Sequence, residues 1–574
     1  MTATERGRDM RAGSRLGAGW LVVAGGVGLA VFVLFYRQAF PQAAVTLEIT
    51  RPQAVAAARE FLAARGATLD GYREAAQFGG DDGALAFLQR TVGLEEASRW
   101  ARERVPIWSW NVRWFKPAQK EEWSVGLGVD GRVVRFRHLM DEAAPGADLP
   151  QDSALALSER FLMDRGWLVA DLDRVESSSR KRDQRTDHHF TWEQRGTALT
   201  WTSAGDSASG TGAVRLEVDV LGDAVGSYRH FLKVPEMFER DVQRTTGVGQ
   251  LLAIASLGLT FVLVLIALGL TIARHRHGDI RWRPAFRLAG LVFALALIQG
   301  VLSWPMARYT YTTELGWGTY TGMLALILLF GTATYGLWVL FAATAGESLG
   351  REAYPQSLGG FVNAVMGRLD PGERARASLR GYAVGFAILG YLTVFYLMAQ
   401  RYLGAWLPAE GPYSSIFNVY LPFLAPLTIS LVAAVTEETT YRLFGMSLVK
   451  RYTGSTALAL LVPAAIWAFG HSNYPVFPVY LRGIELTIGG VLFGLAFLHF
   501  GLLACIVAHF VIDAVQIGMP LLTSGNPTYV VSGLIVMGIA LVPALVGWRL
   551  RRGPRPPGDQ GDGGGWKAME GDAT

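Results

Sequence analysis

Apolar residues gather along this chain in runs of about 20, joined by short polar or basic segments, with one long polar interval near the start. A helix of that length spans the roughly 30 Å hydrocarbon core of a bilayer. The pattern predicts about ten crossings. They fall near Gly19–Tyr36, Val248–Ala273, Leu288–Trp304, Gly318–Ala345 and Gly381–Gln400, then near Ile416–Val435, Thr456–His471, Leu486–Phe500, Leu502–Met519 and Tyr529–Val546. The first run is followed by Tyr36, Arg37 and Phe40 rather than by a small-residue cleavage site, so it reads as a retained anchor.

The polar interval, from Ala43 to Gln243, changes period. Amphipathic helices alternate there with strand-like runs, and two stretches correspond at an offset of about 100 residues. Ala57–Gly66 reads A-A-R-E-F-L-A-A-R-G and Leu157–Gly166 reads L-S-E-R-F-L-M-D-R-G, each helix closing on a glycine suited to a left-handed cap. Strand-like runs follow in both, at Trp108–Phe115 and Trp123–Leu127, and at His189–Glu193 and Val214–Val220. Each half then ends in a glycine turn and a further strand, the first finishing at His138 and the second at His230. The interval therefore predicts an α+β domain of two duplicated helix-plus-antiparallel-sheet modules, resembling small modules of the PepSY type. Matching packing explains His138 and His230 more simply than a metal site, and His188-His189 reads as solvated.

The net charge of +5 on 574 residues is modest and sits beside the apolar runs. That is the positive-inside pattern of a membrane protein and gives no reason to expect a nucleic-acid partner. Arg6, Arg8, Arg11 and Arg15 place the N-terminus in the cytoplasm, and alternation puts Arg274–Arg287, Arg351–Arg380, Lys450-Arg451 and Arg549–Arg555 on the same side. Residues about 43–243 are then extracytoplasmic and both termini cytoplasmic, with the plasma membrane the expected location. One cysteine, Cys505, excludes a disulfide framework.

The chemistry lies in the later apolar runs. Glu437-Glu438-Thr439-Thr440-Tyr441-Arg442 puts two acids where hydrocarbon makes them costly. His471 follows near the end of the next run, and His509 precedes Asp513 by one helical turn in a later one. Glu437 lies roughly 20–25 Å along its helix from the turn at Thr453-Gly454-Ser455, and His471 a similar distance beyond it. The turn at Phe500-Gly501 places His509 and Asp513 at a compatible depth, so one polar cavity can gather all four. Glu438 and Arg442, four apart, share a face and can neutralise each other, leaving Glu437 for chemistry. Trp467 and Phe469 read as core or lipid-facing aromatics, and His499 as an interfacial residue.

This order of residues resembles the CPBP intramembrane proteases, also called the Abi or CAAX-protease family, over Tyr382–Val546. Glu437-Glu438 with Arg442 resembles the first motif. His471 resembles the histidine of a Phe-x-x-x-His motif in which Trp467 replaces phenylalanine, and His509 with Asp513 resembles His-x-x-x-Asn/Asp. The resemblance implies a membrane-embedded endopeptidase in which Glu437 and His471 activate water, His509 and Asp513 stabilise the oxyanion, and Glu438 with Arg442 supports the site. An ionised Asp513 cannot donate to an oxyanion as asparagine does. A divalent metal such as zinc, held by Glu437, His471, His509 and Asp513, therefore stays open beside the metal-free reading.

The chain divides into a cytoplasmic N-terminus with its first span (1–40), two α+β repeats (43–145 and 146–243), spans two to four with a basic loop (247–380), the protease-like domain (381–550) and a disordered cytoplasmic tail (551–574). The expected partners are the bilayer, a membrane-associated or lipid-anchored protein substrate and an unidentified ligand or partner for the external domain. That domain lies far in sequence from Glu437 and is expected to be dispensable for cleavage. Two rival readings are a non-catalytic receptor or immunity protein on a protease-like scaffold, and an ion-coupled transporter, which the lack of paired halves disfavours.

Overall fold

The computed structural model describes residues 3–40, 46–203, 209–406 and 415–552. The expected tail lies, from residue 553, outside the described residues. Among the described residues seven helices are long and apolar enough to cross a membrane: Gly19–Ala39, Glu236–Arg276, Trp282–Leu302, Trp317–Ala353, Pro371–Leu403, Tyr480–Phe500 and Leu502–Thr523. The remaining apolar runs are also helical but shorter or interrupted. Thr456–Phe469 and the apolar part of the last helix, Pro527–Val542, fall below a full span. Leu424–Glu437 passes into a π-helical segment, Glu438–Gly445, and then into Met446–Thr453.

Helix ends follow the local chemistry. Asp370 caps Pro371–Leu403 by accepting from Gly372 N at 2.8 Å and Glu373 N at 3.1 Å, and Gly404 ends that helix at φ +62. The Thr453–Ser455 turn is closed by Gly454 at φ +69, where a β-carbon would be strained. The first helix packs along Pro371–Leu403 through small residues: a β-carbon on Gly28 would lie 2.2 Å from the Phe386 carbonyl oxygen. Phe32, Tyr36 and Phe40 continue the seam onto Tyr396.

The polar interval folds on one antiparallel sheet of nine strands: β1 (Arg73–Gly80), β2 (Trp108–Phe115), β3 (Glu122–Gly128), β4 (Val133–Leu139), β5 (Leu172–Lys181), β6 (Thr186–Gln194), β7 (Leu199–Thr202), β8 (Ser209–Leu221) and β9 (Ala224–Lys233). The order is β1-β2-β3-β4-β9-β8-β6-β5, with β7 pairing to β8. Each half carries a helix, Arg51–Ala63 or Gln151–Asp164. The buried positions of these helices are Ala54, Ala58, Phe61 and Leu62 in one and Ala154, Ser158, Phe161 and Leu162 in the other. The halves meet where β4 pairs β9, Phe136 opposite Tyr228. Between β1 and β2 the first half inserts two helices, Asp82–Val92 and Leu94–Glu103, where the second has a hairpin.

This domain is docked on the helical part at several points. Leu47 N donates to the Ser524 carbonyl at 2.7 Å, and Asn526 Nδ2 to the Glu48 carbonyl at 3.2 Å. Asn418 bonds the Phe78 backbone in both directions, at 2.5 and 2.8 Å. Arg113 donates to the carbonyls of Tyr309 and Tyr311, at 2.9 and 2.6 Å. One apolar cluster runs from Phe78 and Trp110 through Ile416 and Phe417 to Leu427, Leu521 and Tyr529. The expected solvation of His188-His189 is not met, since His189 is partly buried and bonded to Asp219 Oδ1 at 2.6 Å. His188 is buried, with its ring nitrogens on Ser179 Oγ at 2.8 Å and the Leu149 carbonyl at 2.9 Å, because β6 turns that face toward the loop before Gln151.

Candidate active site

Glu437 and Glu438 sit where a regular α-helix gives way to a π segment. Thr440 Oγ1 donates back to the Thr436 carbonyl at 2.6 Å, a contact that bends helices. Leu443 and Phe444 press on Gly346, where a β-carbon would lie 2.8 Å from Leu443. Such π segments re-aim side chains and recur at functional sites. The flanking helices fix this one: Tyr441 Oη lies 2.9 Å from Thr260 Oγ1, and Trp338 Nε1 donates to Thr440 Oγ1 at 2.9 Å.

Behind the site, Glu438 and Arg442 are almost wholly buried and lie 3.2 Å apart, Oε1 to Nη1. The arginine lies against two rings, 4.4 Å from the centroid of Trp467 and 4.9 Å from that of Phe493. The same Glu438 oxygen meets His509 Nδ1 at 2.7 Å. His509 therefore turns its Nε2 toward Asp513 Oδ2 at 3.5 Å and Glu437 Oε2 at 3.7 Å. Glu437 and Asp513 are partly open, their side chains 24% and 26% exposed, in contrast to the closed pair behind them.

His471 joins through Trp467. The indole Nε1 donates to Glu437 Oε2, and the Trp467 carbonyl meets His471 Nδ1 at 2.9 Å. The expectation that Trp467 only packs is thus corrected, since its polar edge holds the Glu437 carboxylate. All six residues singled out in the sequence come together, with His471 attached by way of Trp467.

Sequence reasoning missed a second buried ion pair. Glu485 is fully buried, 2.8 Å from Arg482, and accepts from Tyr396 Oη at 3.0 Å. Arg482 stacks on Tyr474, whose ring is 5.3 Å edge-on from His471. A charge pair at a helix start reads as interfacial, and only the packing of Pro371–Leu403 over it encloses it.

Among the described residues no three His, Cys, Asp or Glu side chains form a metal-holding group. His509 Nδ1 faces Glu438 and His471 Nδ1 faces a carbonyl, so the Nε2 of each ring is left free, as it is in metal-binding histidines.

Residues 419–515 match the family described as Type II CAAX prenyl endopeptidase Rce1-like. The chain is also 26% identical over 141 residues to the sporulation-killing factor biosynthesis protein SkfC of Bacillus subtilis (strain 168), a match covering 25% of this chain and 28% of that protein. The match thus spans little more than a quarter of that relative. No solved structure matches the chain. The C-terminal region therefore contains an Rce1-like domain of the CPBP family, and Glu437, His471, His509 and Asp513 all fall inside it.

Proposed function

We propose that this chain is an intramembrane endopeptidase, hydrolysing a peptide bond of a membrane-associated protein with water activated by Glu437 and His471. The observation that carries the reading is the split between a closed, mutually neutralised set and a partly open one. Glu438 and Arg442 are buried behind the site, while Glu437 and Asp513 face His509 Nε2 from the accessible side. Glu437, steadied by the Trp467 indole, takes the proton of the attacking water, and His471 assists from the end of its helix.

His509 donates to the oxyanion through Nε2 while Nδ1 donates to Glu438. Two N–H donors on one imidazole mean a cationic ring, whose charge Glu438 and Asp513 balance. Asp513 then orients the donor rather than acting as one, which accommodates an aspartate at this position.

On this reading the apolar segments cross the bilayer ten times, with the shorter helices deepened by their polar extensions. Basic loops lie in the cytoplasm and the sheet domain lies outside. The arrangement of the sheet halves, one helix with four strands and one helix with five meeting edge to edge, supports a duplicated module. A bilayer-delivered substrate needs a polar cavity among helices, which the Glu437–His509–Asp513 group supplies.

The test compares membranes carrying wild-type protein and Glu437→Ala for proteins that change length only with the active form, followed by cleavage of the identified peptide in detergent. The variant is expected to lose turnover by about a thousandfold or more at an unchanged melting temperature. Equal turnover would defeat the assignment. Loss of wild-type turnover to 1,10-phenanthroline, restored by zinc, would replace the metal-free step with a metal-assisted one.

A further inference from the structure

A cavity of about 1040 Å³ lies in the sheet domain where its two halves meet. Its wall carries six arginines, Arg65, Arg102, Arg104, Arg132, Arg165 and Arg195, against four acids, Glu60, Glu103, Asp130 and Asp164. Arg132 pairs with Asp130, and Arg195 with Asp173. Among the described residues the other four arginines form no ion pair, and neither do Glu60, Glu103 and Asp164.

Arg65 and Arg165 hold matching places just past the two module helices, and both converge on Phe61. Their guanidinium carbons lie 3.8 and 4.5 Å from that ring centroid, and 5.3 and 5.5 Å from that of Phe161. Helix capping does not account for the pair, because only Arg65 reaches a helix carbonyl, that of Phe61, at a long 3.4 Å. Burial, and after it the neighbouring Arg165, hold Arg65 down to about 10 against the opposing pull of Asp164. His230 lines the same wall and, pushed down to about 4 by burial, is neutral at physiological pH. Trp167 and Tyr228 add aromatic surface.

Two like charges stacked on one ring, facing an open cavity and sharing one nearby acid, Asp164, without an ion pair to it, suit a planar or tetrahedral oxyanion that bridges them. The volume is at the upper end of the range for an organic ligand and far exceeds a bare ion. We propose that this seam cavity binds an organic oxyanion, a carboxylate or phosphate on an apolar or flat body, with Arg65 and Arg165 as its paired donors. The ligand would join the two halves of a domain that is docked on the helices carrying Glu437 and His509. The binding itself is independent of the peptidase reading.

The test uses the full chain in detergent and isothermal titration with phenyl phosphate. Saturable binding at one site is expected, with inorganic phosphate competing and phenol not. Arg65→Gln and Arg165→Gln should each weaken binding by about tenfold or more, without lowering the ligand-free melting temperature, since each removes one of two repelling charges. Arg240→Gln, on an exposed helix outside the cavity, should bind as wild type. The proposal is overturned by absence of saturable binding, by phenol competing as well as phosphate, or by unchanged affinity in both arginine variants. It is equally overturned if those variants melt earlier yet bind normally, which would assign the arginines to packing alone. The wild-type competition decides the matter even where a variant fails to fold.

Discussion

Trp467 decides where the Glu437 carboxylate points. A phenylalanine there would fill similar space but leave Glu437 Oε2 without the indole donor. Hydrogen bonds to charged groups contribute about 1.5–3 kcal/mol, so Trp467→Phe is expected to lower kcat/KM by roughly ten- to a hundredfold. The fold should persist, because the ring that stacks on Arg442 is kept. Turnover equal to wild type would show that Glu437 needs no such support. The pairings Glu438–Arg442 and His509–Asp513 are legible in sequence because four-residue spacing fixes a shared helix face. The Trp467 bond is not, since an aromatic at an apolar position gives no sign of where its single N–H points.

A second residue-scale consequence concerns pH. His189 Nδ1 lies 2.6 Å from Asp219 Oδ1, a bond that raises the histidine despite partial burial. For Asp219, burial works upward, but the bonds from His189 and Ser227 outweigh it and hold the acid low. The histidine contribution is complete below its ordinary pKa of about 6.5 and fades as pH rises through the elevated value. The aspartate contribution is complete above about 3.9 and fades as pH falls through the lowered value. The melting difference between wild type and His189→Gln should therefore be greatest near pH 5–6 and shrink toward pH 9. A difference independent of pH would remove the pair from the stability of the domain.

Elements meet most closely at the crossing of the first helix with Pro371–Leu403. A β-carbon on Gly390 would stand 2.4 Å from Gly28 Cα, so the backbones touch there. Gly28→Leu must push the helices apart and is expected to destabilise by about 1–3 kcal/mol, as overpacked cores do. Gly26→Leu, at a position with nothing within 4 Å, is the control. Equal melting of the two variants would mean that the helices do not pack this way in the membrane. Helix existence is legible at this scale because runs of apolar residues have one stable form in lipid. The π segment at Glu438–Gly445 is not, because it arises from tertiary packing on Gly346 and Thr260 rather than from a composition signal. The two inserted helices between β1 and β2 likewise hide inside the stretch where the halves stop corresponding.

At the scale of the whole molecule, the sheet domain is joined to the helices that carry Glu437 and His509 close to their ends. The sequence separates it from Glu437 by about 190 residues or more, which favours a tethered, dispensable unit. Docking contacts between distant segments have no period or spacing to announce them. Strand β1 is an edge strand, and its open backbone at Phe78 is covered by Asn418, six residues before the Glu437 helix begins. On the other side, Leu47 bonds Ser524, directly after the helix that carries His509 and Asp513. Displacement of the sheet domain thus pulls on the elements holding both Glu437 and His509. Asn418→Ala strips the partner from a buried N–H and a buried carbonyl, a cost of about 1–3 kcal/mol for such groups. The variant is expected to melt earlier and to lose turnover measurably, while Arg240→Gln on the exposed part of Glu236–Arg276 changes neither. Earlier melting with full turnover would confine the docking to stability and restore the sheet domain to a unit dispensable for cleavage.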